Sequence, residues 1–182
     1  MNIRNLLLAL LVTMSSWASA NTLPDSVKQQ LLSLFGPGNS ELRPLGSGEM
    51  RWLGLSIYQA SLWTGAARFD DSAPYALVLR YSRDIAGRRL VSTSIDELKR
   101  LGMRDEGKLK RWETLLATVF PDVKTGESII GVSLPARGAL FYHQGRLTGE
   151  IDDPEFARAF FAIWLDERTR APDLRARLLG GS

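Results

Sequence analysis

The stretch GEMRWLGLSIYQASLW, Gly48 to Trp63, decides how the first half of this chain is read. Taken alternately, one set of side chains is Arg51, Leu53, Leu55, Ile57, Gln59, Ser61 and Trp63; the other is Trp52, Gly54, Ser56, Tyr58, Ala60 and Leu62. A period of two over this length argues strand. The first set has an apolar middle and polar ends. The second is mostly small residues, which would let another layer approach closely. Two readings of the first set stand: it fills a core, or it forms one wall of a pocket.

Working outward, the glycines of ELRPLGSGEMRWLG suggest a hairpin or a bulged pair of long strands, with Gly46 and Gly48 read as turn residues. PYALVLRYSRD is a further strand, with Tyr75, Leu77, Leu79 and Tyr81 on one side and Ala76, Val78 and Arg80 on the other. From Ile85 to Leu101 the apolar positions Val91, Ile95 and Leu98 step by four and three, which is helical. Leu109, Trp112, Leu116 and Val119 in KLKRWETLLATVF do the same. ESIIGVSLP, GALFYHQG and RLTGEI are three short strands separated by glycine-containing turns. DDPEFARAFFAIWLDER opens with an aspartate cap and Pro154 at the first helical position, sending Phe156, Phe160, Ile163 and Trp164 inward. APDLRARLL is a last short helix. Ahead of all these, LPDSVKQQLLSLF places Leu23, Val27, Leu31 and Leu34 on one helical stripe. Without strand-helix-strand alternation, the expected class is α+β, a large antiparallel sheet with helices layered on one face.

The first twenty residues, MNIRNLLLALLVTMSSWASA, combine Arg4, an apolar run from Leu6 to Val12 and the small triplet Ala18-Ser19-Ala20. They read as a signal peptide cut after Ala20, with residues 21–182 forming a single domain in a bacterial periplasm. The apolar run falls well short of the roughly 20 residues a membrane span needs. The chain has no Cys and one His. That excludes thiolate catalysis, cysteine-ligated metals and histidine clusters, so neither a metal nor a cofactor is expected. The single His143, in FYHQGRL, reads as a solvated turn residue. A formal charge of +3 is too small to argue for nucleic acid. The basic run from Arg88 to Arg111 is interspersed with Asp96, Glu97, Asp105 and Glu106 and reads as a solvated surface.

Three landmarks in this order, RWLGLSIYQASLW, YALVLRYSRDIAGRRL and FARAFFAIWLDERTRAPDLRARLLG, resemble the chalcone isomerase superfamily, closest to its secreted bacterial chalcone isomerase-like proteins. The resemblance runs from about Leu42 to Gly180. It implies an open-faced sandwich with a cleft between sheet and helices. In the plant enzymes that cleft adds a phenol to an enone within one molecule, whereas related plant members bind fatty acids. The reaction needs polar donors around a ketone oxygen on which negative charge develops.

Carried over by position, the resemblance puts Leu53 where the family's threonine stands, Leu90 at its tyrosine and Glu97 at its asparagine. The family's arginine falls on Glu41, or on Arg43 if a gap of two is allowed, and Ala162 and Ile163 occupy the region of its late hydroxyl residue. Hydrocarbon and a carboxylate thus replace donors, which implies a protein without isomerase activity. The expected ligand-facing set is Arg43, Arg51, Leu53, Leu55, Ile57, Leu90 and Glu97, and no catalytic residue is assigned. An apolar wall with a charge at one end suits a small apolar or fatty-acid-like ligand, its acyl or aromatic body buried and its anionic head paired with arginine. The alternative is an isomerase or intramolecular lyase on an unknown enone, with Arg43, Arg51 or Tyr58 as donors. An envelope assembly role with a protein partner is a third possibility.

Overall fold

The computed structural model describes residues 22–35 and 41–181; the expected leader and its cleavage site lie outside them, as does the Gly36-Pro37-Gly38 turn. Six strands form one antiparallel sheet in chain order: β1 (Arg43–Trp52), β2 (Leu55–Thr64), β3 (Tyr75–Tyr81), β4 (Ser128–Leu134), β5 (Gly138–His143) and β6 (Arg146–Ile151). Helices α2 (Gly87–Arg100) and α3 (Glu106–Val119) are inserted between β3 and β4, and α4 (Pro154–Leu165) and α5 (Pro172–Leu178) follow β6. This is the α+β open-faced sandwich that the element order implies.

Alternation along each strand separates two apolar layers. Leu77, Leu79, Ile129 and Phe141 face α2 to α5 and share a core with Val91, Trp112, Phe156 and Phe160. Ala76, Val78, Ile130 and Val132 point the other way and are covered by α1 (Asp25–Phe35), through Val27, Leu31 and Phe35. One helix therefore occupies the face opposite the other four. Burying this second face takes strands that are covered on both sides, and β3 and β4 are buried along nearly their whole length.

The stretch that opened the reading is not one strand. Trp52 pairs with Leu55, leaving Leu53 and Gly54 as a two-residue hairpin loop with φ of 48° and 80°. Positive φ at both positions is the primed turn that matches strand twist, and it favours Asn-Gly. Leucine there carries a Cβ clash of about 1–2 kcal/mol. Arg51 Nη2 donates to the Gly54 carbonyl at 2.7 Å and braces the loop. The expected common face of Arg51, Leu53, Leu55 and Ile57 is therefore lost, because Arg51 pairs across the hairpin with Ser56.

Gly46 and Gly48 lie inside β1 rather than in a turn. A Cβ on Gly46 would stand 1.9 Å from the Arg177 carbonyl oxygen, and one on Gly48 would meet Leu174 and Arg177, so the glycines let α5 approach the strand. The expected helix from Ile85 begins only at Gly87, since Ile85 forms an antiparallel bridge with Val123. His143 closes β5, and its Nε2 lies 3.0 Å from Glu127 Oε2 instead of standing in a solvated turn.

Asp153 ties the helical layer together. Its Oδ1 accepts from the backbone N–H groups of Glu155 and Phe156, both at 3.0 Å, as the cap of α4. Its Oδ2 accepts from Trp112 Nε1 at 3.0 Å and pairs with Arg111, which joins α4 to α3. Partial burial alone would raise its pKa, but these bonds and the arginine charge together hold it below the ordinary aspartate value. Asp153→Ala is expected to lower the unfolding free energy by about 2 kcal/mol in urea titration. Because the folded pKa is depressed, the carboxylate's contribution is fully present above about pH 4 and fades as pH falls through the folded value. The difference between wild type and Asp153→Ala should therefore shrink below pH 4.

Candidate ligand-binding cleft

A cavity of about 930 Å3 lies between the sheet and the helical layer. Its floor is built by β2 to β5, with Leu77, Leu79, Ile129 and Phe141 pointing up. Leu90, Ser94 and Glu97 recur at helical spacing and turn one face of α2 toward it, while Phe160, Ile163 and Trp164 of α4 supply the remaining wall. The volume falls within the range of small-molecule sites. Phe160 is locked by edge-on rings on both sides, with centroids 5.3 Å from Phe141 and 5.4 Å from Trp164, so this wall is stiff.

Two phenols break the hydrocarbon floor. Tyr58 and Tyr81 are direct partners across β2 and β3, and their rings meet edge-on at 5.9 Å. Trp164 Nε1 donates to the Tyr58 hydroxyl at 2.9 Å, spanning the cleft from α4 to β2. Tyr58 keeps its own proton to donate, and the Tyr81 hydroxyl makes no hydrogen bond among the described residues. Burial pushes Tyr58 up to about 12, moderated by the Trp164 bond and reinforced by the charge of Glu97. Burial raises Tyr81 as well, and its neighbour Tyr58 adds to the shift. Both groups are therefore neutral donors at physiological pH. The other hydroxyls near them are satisfied internally, Ser94 by the Leu90 carbonyl at 2.9 Å and Thr169 by the Ile163 carbonyl at 2.8 Å.

Of the expected ligand-facing set, Ile57, Leu90 and Glu97 line this cavity. Arg43, Arg51, Leu53 and Leu55 do not. Arg43 begins β1, opposite Thr64 at the far end of the hairpin; Arg51 is exposed and paired with Glu49 at 3.0 Å. Leu53 and Leu55 are 87% and 57% exposed at the hairpin tip. Leu53, which the resemblance puts at the family's threonine, stands in the hairpin loop and does not line the cavity. On β2 the hydrogen-bonding side chain that lines the cavity is Tyr58.

Glu97 also differs from expectation. Its Oε2 accepts from Arg100 Nε at 2.7 Å and its Oε1 lies 2.6 Å from Arg170 Nε. Two guanidiniums thus neutralise the carboxylate, which removes the simple repulsion expected of a lone anion. Arg100 Nη1 further donates to the Arg168 carbonyl at 2.6 Å, so the network pins the end of α2 to the segment between α4 and α5. The cations that line the cavity without an ion pair are Arg83, Arg88 and Arg89.

Comparison with known proteins agrees with this architecture. The family described as Chalcone isomerase-like matches residues 35–180. An uncharacterized protein of Haemophilus influenzae is 27% identical over 139 residues, spanning 76% of this chain and 68% of its own. The crystal structure of the Arabidopsis thaliana fatty-acid binding protein AtFAP1 superposes with a TM-score of 0.59 at 15% identity, covering 80% of this chain and 90% of that one. At that identity the likeness shows a shared fold.

Glu97 is largely buried, with 12% of its side chain exposed. Replacing it by alanine leaves Arg100 and Arg170 without their acceptor, and the expected loss of stability in urea unfolding is about 2 kcal/mol. A loss within a few tenths of a kilocalorie would assign the network the negligible worth of surface pairs.

Proposed function

Because the chain belongs to the chalcone isomerase-like family, we propose that it is an exported, periplasmic member that binds a fatty-acid-like molecule between sheet and helices. The observation that carries the reading is the Tyr81 hydroxyl, which belongs to a buried residue lining an apolar cavity and makes no hydrogen bond among the described residues. A hydroxyl that faces a cavity with no protein acceptor is free to donate to an oxygen that enters it. A carboxylate between Tyr81 and Tyr58 would accept a hydrogen bond from each phenol, while its chain lies along Leu79, Ile129 and Phe160. The Arabidopsis neighbour is a fatty-acid binding protein, which supports the same chemistry on the same fold. The leader-like residues 1–20 support export.

The test is titration of the purified, delipidated protein with palmitate, followed by tryptophan fluorescence or calorimetry, with native mass spectrometry of undelipidated material. Saturable binding is expected at one molecule per chain. Tyr81→Phe should weaken it roughly tenfold while leaving stability within about 0.5 kcal/mol, because the hydroxyl bonds no protein group. Tyr58→Phe should cost stability as well, since Trp164 Nε1 loses its acceptor. No binding by the wild type would overturn the reading.

The same two phenols favour a second reading. Donors that hold a carboxylate also suit the oxygen of an enone as charge develops on it. Decay of the enone absorbance of a chalcone on incubation with the protein, abolished by Tyr58→Phe, would replace binding with catalysis as the primary role.

A further inference from the structure

The largest exposed apolar side chains are Trp52, Leu53, Leu55 and Leu147. Three of the four are the tip of the β1–β2 hairpin, whereas Leu147 stands on β6 at the opposite edge of the sheet. Leu53 sits where a primed turn prefers asparagine, so an apolar group is held in water at a position whose backbone disfavours it. Neither folding nor the cavity uses it.

The tip adjoins the cavity, which Trp52 lines. Ser56 Oγ donates to Ser82 Oγ at 3.0 Å, and Ser82 N–H to the Ile57 carbonyl at 2.9 Å, which brings the end of β3 beside the hairpin. Arg83 follows directly, and Arg88 and Arg89 open α2. All three are exposed, have no ion pair among the described residues, and line the cavity together with Trp52. The acids nearby are committed elsewhere: Asp84 to the Thr125 N–H and hydroxyl, Asp122 to the Gly87 N–H, Glu49 to Arg51. Asp96 alone faces the group from α2. One end of the molecule thus joins an apolar prong carrying an indole to three unpaired guanidiniums.

We propose that this end docks on an anionic lipid bilayer, with Trp52, Leu53 and Leu55 entering the interface and Arg83, Arg88 and Arg89 pairing with lipid phosphates. Indole and leucine beside arginine match the layered chemistry of a headgroup region. A protein surface offering an apolar pocket would match the tip but would not need the flanking cations. Docking in this orientation puts the cavity mouth against the membrane, so an acyl chain could pass between bilayer and cleft without crossing water. The docking does not depend on the cleft holding a ligand.

The experiment is flotation of the purified protein with vesicles of phosphatidylglycerol and phosphatidylcholine, against vesicles of phosphatidylcholine alone. Binding to the anionic vesicles is expected, weakened by salt. Replacing Arg83, Arg88 and Arg89 by glutamine should reduce it roughly fivefold per arginine. Leu53→Asn is the decisive variant: it suits the turn, so its melting temperature should not fall, yet vesicle affinity should drop on the order of tenfold. Brominated lipids should quench Trp52, identified by its loss in Trp52→Ser. No flotation of the wild type, or flotation that Leu53→Asn leaves unchanged, overturns the proposal, as would a tip-dependent protein complex without vesicle binding. Palmitate titration in vesicle-free solution reads the cleft separately, so the failure of either proposal is recognisable without the other.

Discussion

The stacking of α4 on the sheet through Phe160 and Phe141 sets the spacing on which the remaining architecture depends. With ring centroids 5.3 Å apart and Phe156 stacked beside them, α4 cannot settle closer. Helix α2 in turn rests on α3 and α4 rather than directly on the strands. A helix held off the sheet by its neighbours leaves room beneath it, and the cavity is that room. The cavity is thus a consequence of aromatic packing next to it.

Much of this was legible. The apolar stripes of α2, α3 and α4, the Asp153 cap and the Pro154 start obey local rules, and their residues fall where period and capping put them. The hairpin at Leu53-Gly54 was not legible as a turn, for two reasons. Leucine is a poor marker of positive φ, and a two-residue loop makes Trp52 and Leu55 partners on the same side of the sheet although three positions separate them. An alternation counted straight through the loop therefore reverses its faces. That one parity error moved Arg51, Leu53 and Leu55 onto an imagined cleft wall, while Leu90 and Glu97, seven apart on a correctly read helix, kept their place. The Tyr58 and Tyr81 pair was hidden differently: strand register, not sequence spacing, brings them opposite one another.

Electrostatics changes the chemical meaning of the site more than its shape does. Read alone, Glu97 is an anion that would oppose any oxygen gaining charge nearby. In the fold its two oxygens are taken by guanidiniums from α2 and from residue 170, and that second partner is contributed by a segment far along the chain. Meanwhile the strongly raised phenols cannot ionise at neutral pH, so the cleft presents neutral donors on hydrocarbon. Neutral donors orient an oxygen without forming an ion pair, and the unpaired guanidiniums that line the cavity, Arg83, Arg88 and Arg89, are exposed. That favours a ligand whose affinity comes chiefly from its apolar body, at about 25 cal/mol per Å2 buried, with the head fixing orientation.

Local consistency is the rule in folded chains, and departures from it carry information. Most irregular features here have an internal explanation: the β1 glycines admit α5, and the break before α2 lets Ile85 bridge to Val123. Leu53 has none. Asparagine or glycine would relieve the turn, and the side chain it would remove is almost wholly in solvent. Trp52 and Leu55 flank it, each more than half exposed, and the side-chain braces at this end of the hairpin among the described residues, from Arg51 and Ser56, are polar contacts that any tip residue would allow. A strained, solvated leucine between two exposed apolar neighbours is therefore explained by what lies outside the molecule, at the end where the cleft opens.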